Sequence, residues 1–250
     1  DKIHQPSREE LVITLRTRGG NEKLYLSARS NSPRVNLTKS SLENPAAPPM
    51  FCMLLRKYLT AGRIVNIRQP GLERILFIDL DCFNEMGDIV RLTLAVEIMG
   101  RHSNIILIDS NGVIIDAIKR IDFEMSTIHP VLPGLPYSPP PARAGSMDLT
   151  FHSPAEIINS LGAIKTKPLS EALLNISQGL SPLICREVSY LATRGRDTIV
   201  SELSEEEKQR AVFYLERVRK AVMEGENRCP YILYNQNKEP VEFSFMPITQ

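Results

Sequence analysis

Two opposite charges stand between a tight turn and an apolar strand in the stretch "QPGLERILFI", residues 69–78. Glu73 and Arg74 directly precede residues 75–78, an apolar run that predicts a buried strand. Charged side chains at such a place are usually paired or directed at something the protein binds. The residues alone leave both interpretations open.

A second polar corner lies in "EIMGRHSNIIL", residues 97–107, between two apolar strands. A turn there would need only the glycine and the asparagine, whereas Arg101, His102, Ser103 and Asn104 also supply donors for phosphates and bases. A hydrogen-bonded turn that only locks two strands explains the stretch nearly as well. Because Glu73 and Arg74 belong to the same β segment, we hypothesise that the corners converge on one rim.

Two helix-associated features could contact a phosphate backbone. Arg56 and Lys57 are adjacent in "PPMFCMLLRKYLTAG" and are expected on the outer side of a helix. "GLSPLICREV" places Gly179 in a turn between two helices and Ser181 at the start of the second. Such a turn can aim free backbone amides at a phosphate. An ordinary capped helical hairpin is the alternative.

No pattern of a catalytic site stands out. The chain has no GxGxxG, GxxxxGK[ST], GxSxG or HExxH sequence, and its four histidines are dispersed. Asp79 and Asp81 project to one face of a strand and could hold a metal, although such pairs are more often solvated. Four widely spaced cysteines favour reduced, buried thiols over a zinc site: Cys52, Cys82, Cys185 and Cys229. We therefore expect a binding protein with no cofactor and no metal, and not an enzyme by itself.

Charge is unevenly distributed along the 250 residues, whose net charge is +1. Residues 1–74 hold 13 Lys/Arg against 6 Asp/Glu, and residues 75–250 hold 17 against 23. A basic amino-terminal region is a possible footprint for RNA, unless its charges are merely scattered over a solvated surface. No run approaches ~18 apolar residues and no signal peptide is visible, which predicts a cytoplasmic protein. The start "DKIHQP" suggests a piece of something longer.

The predicted fold class is α+β. Residues 10–29 alternate like a hairpin, and the helix that follows would have its apolar face at Met50, Phe51, Met53, Leu54 and Tyr58. Five strand-like segments with short connections then favour antiparallel pairing. We predict a β-rich domain over 1–135, a Pro/Gly-rich linker over 136–150, and a mostly helical domain over 151–250. A capping box at Ser204 and a terminal β-hairpin mark the last of these.

Five stretches together resemble the amino-terminal region of the NFACT family: "KIHQP", "ENPAAPPMFCMLLRKYL", "QPGLERI", "VEIMGRHSNIILID" and "VLPGLPYSPPP". Bacterial members of this family include RqcH, also called fibronectin-binding protein A. The resemblance runs through nearly all of the chain. It implies a first domain, here without its first helix, like the amino-terminal domain of formamidopyrimidine-DNA glycosylases. A helix-hairpin-helix domain follows it, which would include "GLSPLICREV".

The resemblance also implies a function. Family members are ribosome quality-control factors that bind obstructed large ribosomal subunits carrying peptidyl-tRNA and recruit tRNA for carboxy-terminal alanine tailing of stalled chains. On this basis Glu73, Arg74, Arg101, His102 and Asn104 are expected to contact tRNA, with alanine tRNA the expected partner. Phosphate contacts are expected at four further positions: Arg56, Lys57, Gly179 and Ser181. The family has Asp where this chain has Glu73, which changes the reach of the carboxylate.

Two rivals come from other functional classes. The older family name proposes a surface adhesin that binds fibronectin or fibrinogen, for which this sequence shows no leader or wall anchor. The likeness to DNA glycosylases suggests a lyase, but neither an amino-terminal proline nucleophile nor a cysteine zinc finger is seen.

Overall fold

The computed structural model describes residues 2–141, 143–226 and 228–250. It divides the chain into two compact units. The first consists of Asp1–Pro70 and Arg74–Pro141, and the second of Gly71–Glu73 and Ala142–Gln250. Each unit has its own hydrophobic core. Helices and strands are largely segregated between the units, which confirms the α+β class with a β-rich amino-terminal part.

The first unit contains two antiparallel sheets whose strands follow the chain order. The first sheet comprises β1 (Lys2–Ser7), β2 (Glu10–Thr17), β3 (Gly20–Ser27) and β4 (Arg34–Thr38). The second comprises β5 (Arg63–Arg68), β6 (Ile75–Phe83), β7 (Ile89–Glu97), β8 (Asn104–Ile108) and β9 (Ile114–Ala117). Strands that are neighbours in a sheet are also consecutive along the chain. Short turns connect them, which is possible because they are antiparallel; parallel strands would need long crossover connections. The predicted hairpin and strand series are confirmed.

Helix α1 (Met50–Leu59) packs its apolar face against the sheets of this unit. The predicted face is partly wrong, since Met50 and Met53 are 75% and 55% exposed. The buried positions are Phe51, Cys52, Leu55 and Leu59, which repeat at helical spacing along a different stripe. They share a core with Leu11, Leu26, Leu94 and Leu107. Burial of each such leucine contributes about 1.5–3 kcal/mol to folding.

The second unit is mostly helical. Its helices are α2 (Pro154–Ser160), α3 (Leu169–Ile176), α4 (Pro182–Thr193) and α5 (Glu205–Met223). Its strands are β10 (Met147–Asp148), which pairs in parallel with β11 (Ser177–Gln178), and the hairpin of β12 (Tyr231–Tyr234) and β13 (Pro240–Ser244). The predicted hairpin is therefore present.

Capping boxes fix where two of these helices begin. The side chain of Ser204 accepts a hydrogen bond from the backbone N–H of Glu207, whose carboxylate in turn accepts the N–H of Ser204. This is the capping box predicted from the sequence. Ser153 and Glu156 form a second one at α2. Along the part of the chain that the structure describes, no helix is both long and apolar enough to cross a membrane.

Candidate functional site

The first unit brings Arg74 next to the polar turn that follows β7. Ile75 opens β6 and pairs with Glu97, the last residue of β7. One step beyond this pair, the backbone N–H of Ile98 donates to the carbonyl oxygen of Arg74 at 2.8 Å. Antiparallel pairing therefore places Arg74 beside the residues that lead into the turn at 100–102. We call Arg74, Arg101 and His102 the strand-end corner.

A single 3₁₀ turn, Gly100–His102, presents the other two residues of the strand-end corner. Gly100 has φ +57°, a conformation that glycine adopts without steric cost. The backbone N–H of Met99 donates to Ser103 Oγ at 2.8 Å, which closes the turn. Arg101 Nε donates to His102 Nε2 at 2.9 Å, and the Arg74, Arg101 and His102 side chains are all exposed. Two guanidinium groups and an imidazole thus face solvent at one end of the sheet.

The strand-end corner is next to a buried carboxylate, that of Glu97. Glu97 is fully buried, and its carboxylate lies 3.0 and 3.2 Å from His129 Nε2. Tyr137 Oη donates to the same carboxylate at 2.9 Å. Burial and the neighbouring Glu97 raise the pKa of Tyr137, so its hydroxyl remains a donor. Because a buried acid without partners is costly, these contacts fix the end of β7, from which the turn departs.

Asn104 and Ser103, in contrast, belong to the interior. The amide of Asn104 donates to the carbonyl oxygen of Lys119 at 2.9 Å and accepts the Lys119 N–H at 3.1 Å. Both Asn104 and Ser103 are fully buried. The prediction of Asn104 as a direct RNA contact is therefore corrected, since its side chain ties β8 to the segment after β9. The turn-locking alternative accounts for both residues.

Glu73 and Arg74 fall in different compact units. Within the second unit, the half-buried Glu73 accepts a hydrogen bond from Gln178 Nε2. The neighbouring Leu72 N–H donates to Asp148 Oδ2 at 2.7 Å. Two hydrogen bonds to carboxylates thus hold residues 71–73 in place within the second unit. Glu73 has a structural role there, whatever else it contacts.

The basic pair on α1 divides into an inward and an outward residue. Arg56 Nε donates to the carbonyl oxygen of Ile3 at 2.8 Å, so its guanidinium ties α1 to β1. The expectation that Arg56 lies on the outer side is corrected by this contact. Lys57 is exposed and forms an ion pair of 2.9 Å with the exposed Glu85. Such surface pairs are weak, so Lys57 can exchange Glu85 for a phosphate.

The hairpin between α3 and α4 has the predicted helix–glycine–helix layout, but Gly179 is a packing position. Gly179 has φ +79°, and a Cβ built on it would lie 2.2 Å from Leu72 Cβ and 2.7 Å from Leu72 O. Glycine is needed there for close approach of residues 71–73, so the predicted role of Gly179 as an open phosphate cradle is corrected. Ser181 Oγ accepts the N–H of Ile184 at 3.2 Å and caps α4.

The two acidic residues of β6, Asp79 and Asp81, are each bound by side chains of the protein. Asp79 is bound by Arg68 at 3.1 Å and Thr93 at 2.7 Å, whereas Asp81 pairs with Arg91 at 2.7 Å. Among the described residues, no group of three or more His, Cys, Asp or Glu side chains could hold a metal ion. The cysteines are free thiols, and three are buried as predicted, but Cys229 is exposed.

The amino-acid sequence matches the family model for NFACT N-terminal and middle domains across residues 1–250. It is 42% identical over 192 residues to the Rqc2 homolog RqcH of Bacillus subtilis, covering 76% of this chain and 33% of that protein. Identity to RqcH of Streptococcus suis is 46% over 141 residues, 56% of this chain and 26% of that protein. The chain therefore spans a third or less of the length of these relatives.

Solved structures of similar fold carry a different functional description. One is the N-terminal part of the fibronectin/fibrinogen-binding protein of Streptococcus suis, with a TM-score of 0.77 and 30% identity, covering 99% of this chain and 82% of that one. The fibrinogen binding protein of Staphylococcus aureus has a TM-score of 0.79 and 28% identity at the same coverage. Since the family match extends over the whole sequence, the chain belongs to the NFACT family.

Proposed function

We propose that this chain is the tRNA- and ribosome-facing part of a ribosome-associated quality-control factor. In this proposal it binds obstructed large ribosomal subunits in the cytoplasm and recruits alanine tRNA for carboxy-terminal alanine tailing of stalled chains. Its support is the similarity to RqcH proteins and the exposed strand-end corner of Arg74, Arg101 and His102. The proposed tRNA contact rests on the strand-end corner, because three exposed nitrogen-bearing side chains lie there at the same end of the second sheet.

The chemistry of the strand-end corner suits nucleic acid. A guanidinium group can make two parallel hydrogen bonds to a phosphate or to a guanine edge. The hydrogen bond from the Ile98 N–H fixes the backbone of Arg74. The position from which the Arg74 side chain would reach a base is therefore defined. Arg101 and His102 would add phosphate contacts from the adjacent turn. Lys57 would contribute a further one from α1.

We propose that the chain acts by binding and not by catalysis. The corner holds no nucleophile paired with a base, and peptide-bond formation would then belong to the ribosome, with this protein positioning the tRNA. The α3–α4 hairpin would serve as the helix-hairpin-helix element of a domain that follows a glycosylase-like β domain. Its support is the order of α3, the positive-φ Gly179 and the Ser181-capped α4.

Binding of labelled alanine tRNA tests this proposal. The wild-type protein, Arg74→Ala and a control, Arg63→Ala, would be titrated across a salt series. Arg63 lies exposed on β5, so the two variants lose the same charge from the same unit. If Arg74 meets a base edge, its loss should cost ~1–3 kcal/mol of binding free energy. Equal affinity of the two variants would remove the strand-end corner from the tRNA site.

The alternative is a surface adhesin, favoured by the fibronectin- and fibrinogen-binding descriptions of the structural relatives. Immobilised fibronectin and fibrinogen would be tested with the same three proteins. Saturable binding of the matrix protein by all three, with no binding of tRNA, would favour the adhesin. Fractionation of the full-length protein adds a second criterion, because co-sedimentation with large ribosomal subunits supports the quality-control function.

A further inference from the structure

A hollow of about 600 Å³ lies on the face of the first sheet that points away from the core. Successive side chains of a strand point to opposite faces, so Lys2 and His4 face the hollow while Ile3 is buried in the core. Thr14 and Lys23 line the same hollow from β2 and β3, and Ser40, Ser41 and Asn44 contribute hydroxyl and amide groups at its edge. It contains no residue of the strand-end corner.

The strand register brings the basic residues of the hollow together. Lys2 pairs with Thr14, and Thr14 pairs with Lys23, so the three form one row across β1, β2 and β3. Neighbouring strands are ~4.8 Å apart, which places the two lysine backbones roughly 10 Å from each other. His4 lies two residues along from Lys2 on the same face, in the next row. One anion could therefore reach these three basic side chains, and Arg16 of β2 adds a fourth basic group to the lining.

The charged side chains that line the hollow, among the residues that the structure describes, are all basic. No described residue that lines it is an Asp or Glu. Burial lowers the pKa of His4, and the nearby cations Arg56 of α1, Lys2 of β1 and Lys23 of β3 lower it further. The ammonium of Lys23 donates to the carbonyl oxygen of Ser40 at 3.4 Å, which leaves its other hydrogens available. Like charges placed side by side on a sheet are unfavourable, and a bound anion would relieve that repulsion.

We propose that this hollow is a binding site for phosphate groups, supplied either by a single-stranded nucleic-acid backbone or by a free phosphate compound. Ammonium, imidazole and hydroxyl groups are the usual donors to phosphate oxygens. Lys2 and Lys23 belong to the excess of basic residues in positions 1–74. Phosphate binding in the hollow would give that part of the excess a function. The site is separate from the strand-end corner, so it stands whether or not that corner contacts tRNA.

A bound phosphate would change the titration of His4. Its negative charge would offset Arg56, Lys2 and Lys23 and so raise the pKa of His4 in the complex. Binding would then take up a proton, and affinity should rise as the pH falls through the pKa of His4 in the complex, levelling off below the lowered pKa of the free protein. RNA phosphodiesters do not titrate between pH 5.5 and 8. A pH-dependent affinity for RNA would therefore come from the protein.

The test uses the 250-residue chain and a fluorescent ten-nucleotide oligouridylate. Lys2→Gln/Lys23→Gln is compared with a control of equal charge change in the second unit, Lys165→Gln/Lys208→Gln. Loss of two phosphate contacts should lower the salt slope by about 1.4 and weaken binding on the order of tenfold at 0.1 M salt. The control should retain the wild-type slope, and circular dichroism verifies that both variants are folded. His4→Gln should flatten the pH dependence.

A second arm identifies the source of the phosphate. Inorganic phosphate is titrated at fixed pH while the ring proton signal of His4 is followed by NMR. A saturable shift that is lost in Lys2→Gln/Lys23→Gln, without an effect of that variant on oligouridylate binding, supports the site with a free phosphate compound as its ligand. If the lysine variant and its control bind both probes alike, the proposal is overturned. Arg63→Ala lies outside both the hollow and the strand-end corner and should leave both signals unchanged. The His4 signal in the phosphate titration reports on the hollow alone, so failure of the strand-end corner is distinguishable.

Discussion

Replacement of Gly179 by alanine should destabilise the second unit through two separable effects. The residue has φ +79°, and an L-residue in the left-handed region costs roughly 1–2 kcal/mol. The new Cβ would also lie 2.2 Å from Leu72 Cβ and 2.7 Å from Leu72 O, distances at which residues 71–73 must move. That movement strains the 2.7 Å hydrogen bond from the Leu72 N–H to Asp148.

The magnitude of the second effect follows from the contacts at risk. A hydrogen bond to a charged group is worth about 1.5–3 kcal/mol. Added to the backbone cost, this gives an expected loss of ~2.5–5 kcal/mol in the free energy of unfolding. Gly145 is the matched control because it lies in the same unit with φ +75° and no atom within 4 Å of a built Cβ. Its alanine variant should lose only the roughly 1–2 kcal/mol of backbone strain.

Urea unfolding followed by circular dichroism at 222 nm measures both variants. Helices α2–α5 lie in the second unit, so this signal reports mainly on its unfolding. The expected result is a difference of ~1.5–3 kcal/mol between the two alanine variants, the part that depends on Leu72 and Asp148. If the variants lose the same stability, residues 71–73 are not held where the structure places them, and the packing role of Gly179 is wrong.

Two further predictions concern titration and thiol reactivity. Burial would raise the pKa of Asp79, but hydrogen bonds from Thr93 and Arg68 outweigh it and lower the pKa below 3.8. The stability gained from ionised Asp79 is thus present above pH 3.8 and lost as the pH falls through the folded-state pKa. The difference in urea midpoint between wild type and Asp79→Asn should shrink between pH 6 and pH 3, and a constant difference would contradict this. Exposed Cys229 should react at once with Ellman's reagent, whereas the three buried thiols should require denaturant. Cys229→Ser should abolish the fast phase, and a fast phase that persists would show that a buried thiol is reached.

Periodic segments were predictable from the sequence because their pattern is local. Alternation over residues 10–29 and the antiparallel strands after residue 62 follow from neighbours a few positions apart. The capping box at Ser204 follows from a four-residue pattern in the same way. The buried face of α1 differs from the prediction because apolar residues occur around the whole helix, so residue type alone does not select the buried stripe. Met50 and Met53 are apolar but exposed, whereas the buried Cys52, Leu55 and Leu59 lie outside the predicted face.

Residues of the candidate site were predictable from the sequence only where a polar side chain is also exposed in the structure. Arg74, Arg101 and His102 are exposed, and strand pairing brings the first beside the turn that carries the other two. Asn104 has the same donor chemistry as an exposed asparagine, yet its partner is the backbone of Lys119, 15 residues away. No local pattern distinguishes the two situations, because they differ only in which tertiary neighbour covers the amide.

Glu97 shows why the support of the strand-end corner was missed. In the sequence, an acidic residue at the end of an apolar strand indicates the start of a polar turn, but Glu97 is fully buried. Its partners lie 32 and 40 residues further along, His129 and Tyr137. Tyr137 belongs to the Pro-rich stretch whose composition indicates a linker, although its ring also packs edge-on against Phe77 at 5.9 Å. Because an unsatisfied buried carboxylate is costly, the conformation of the corner depends on a segment that composition alone assigns to no domain.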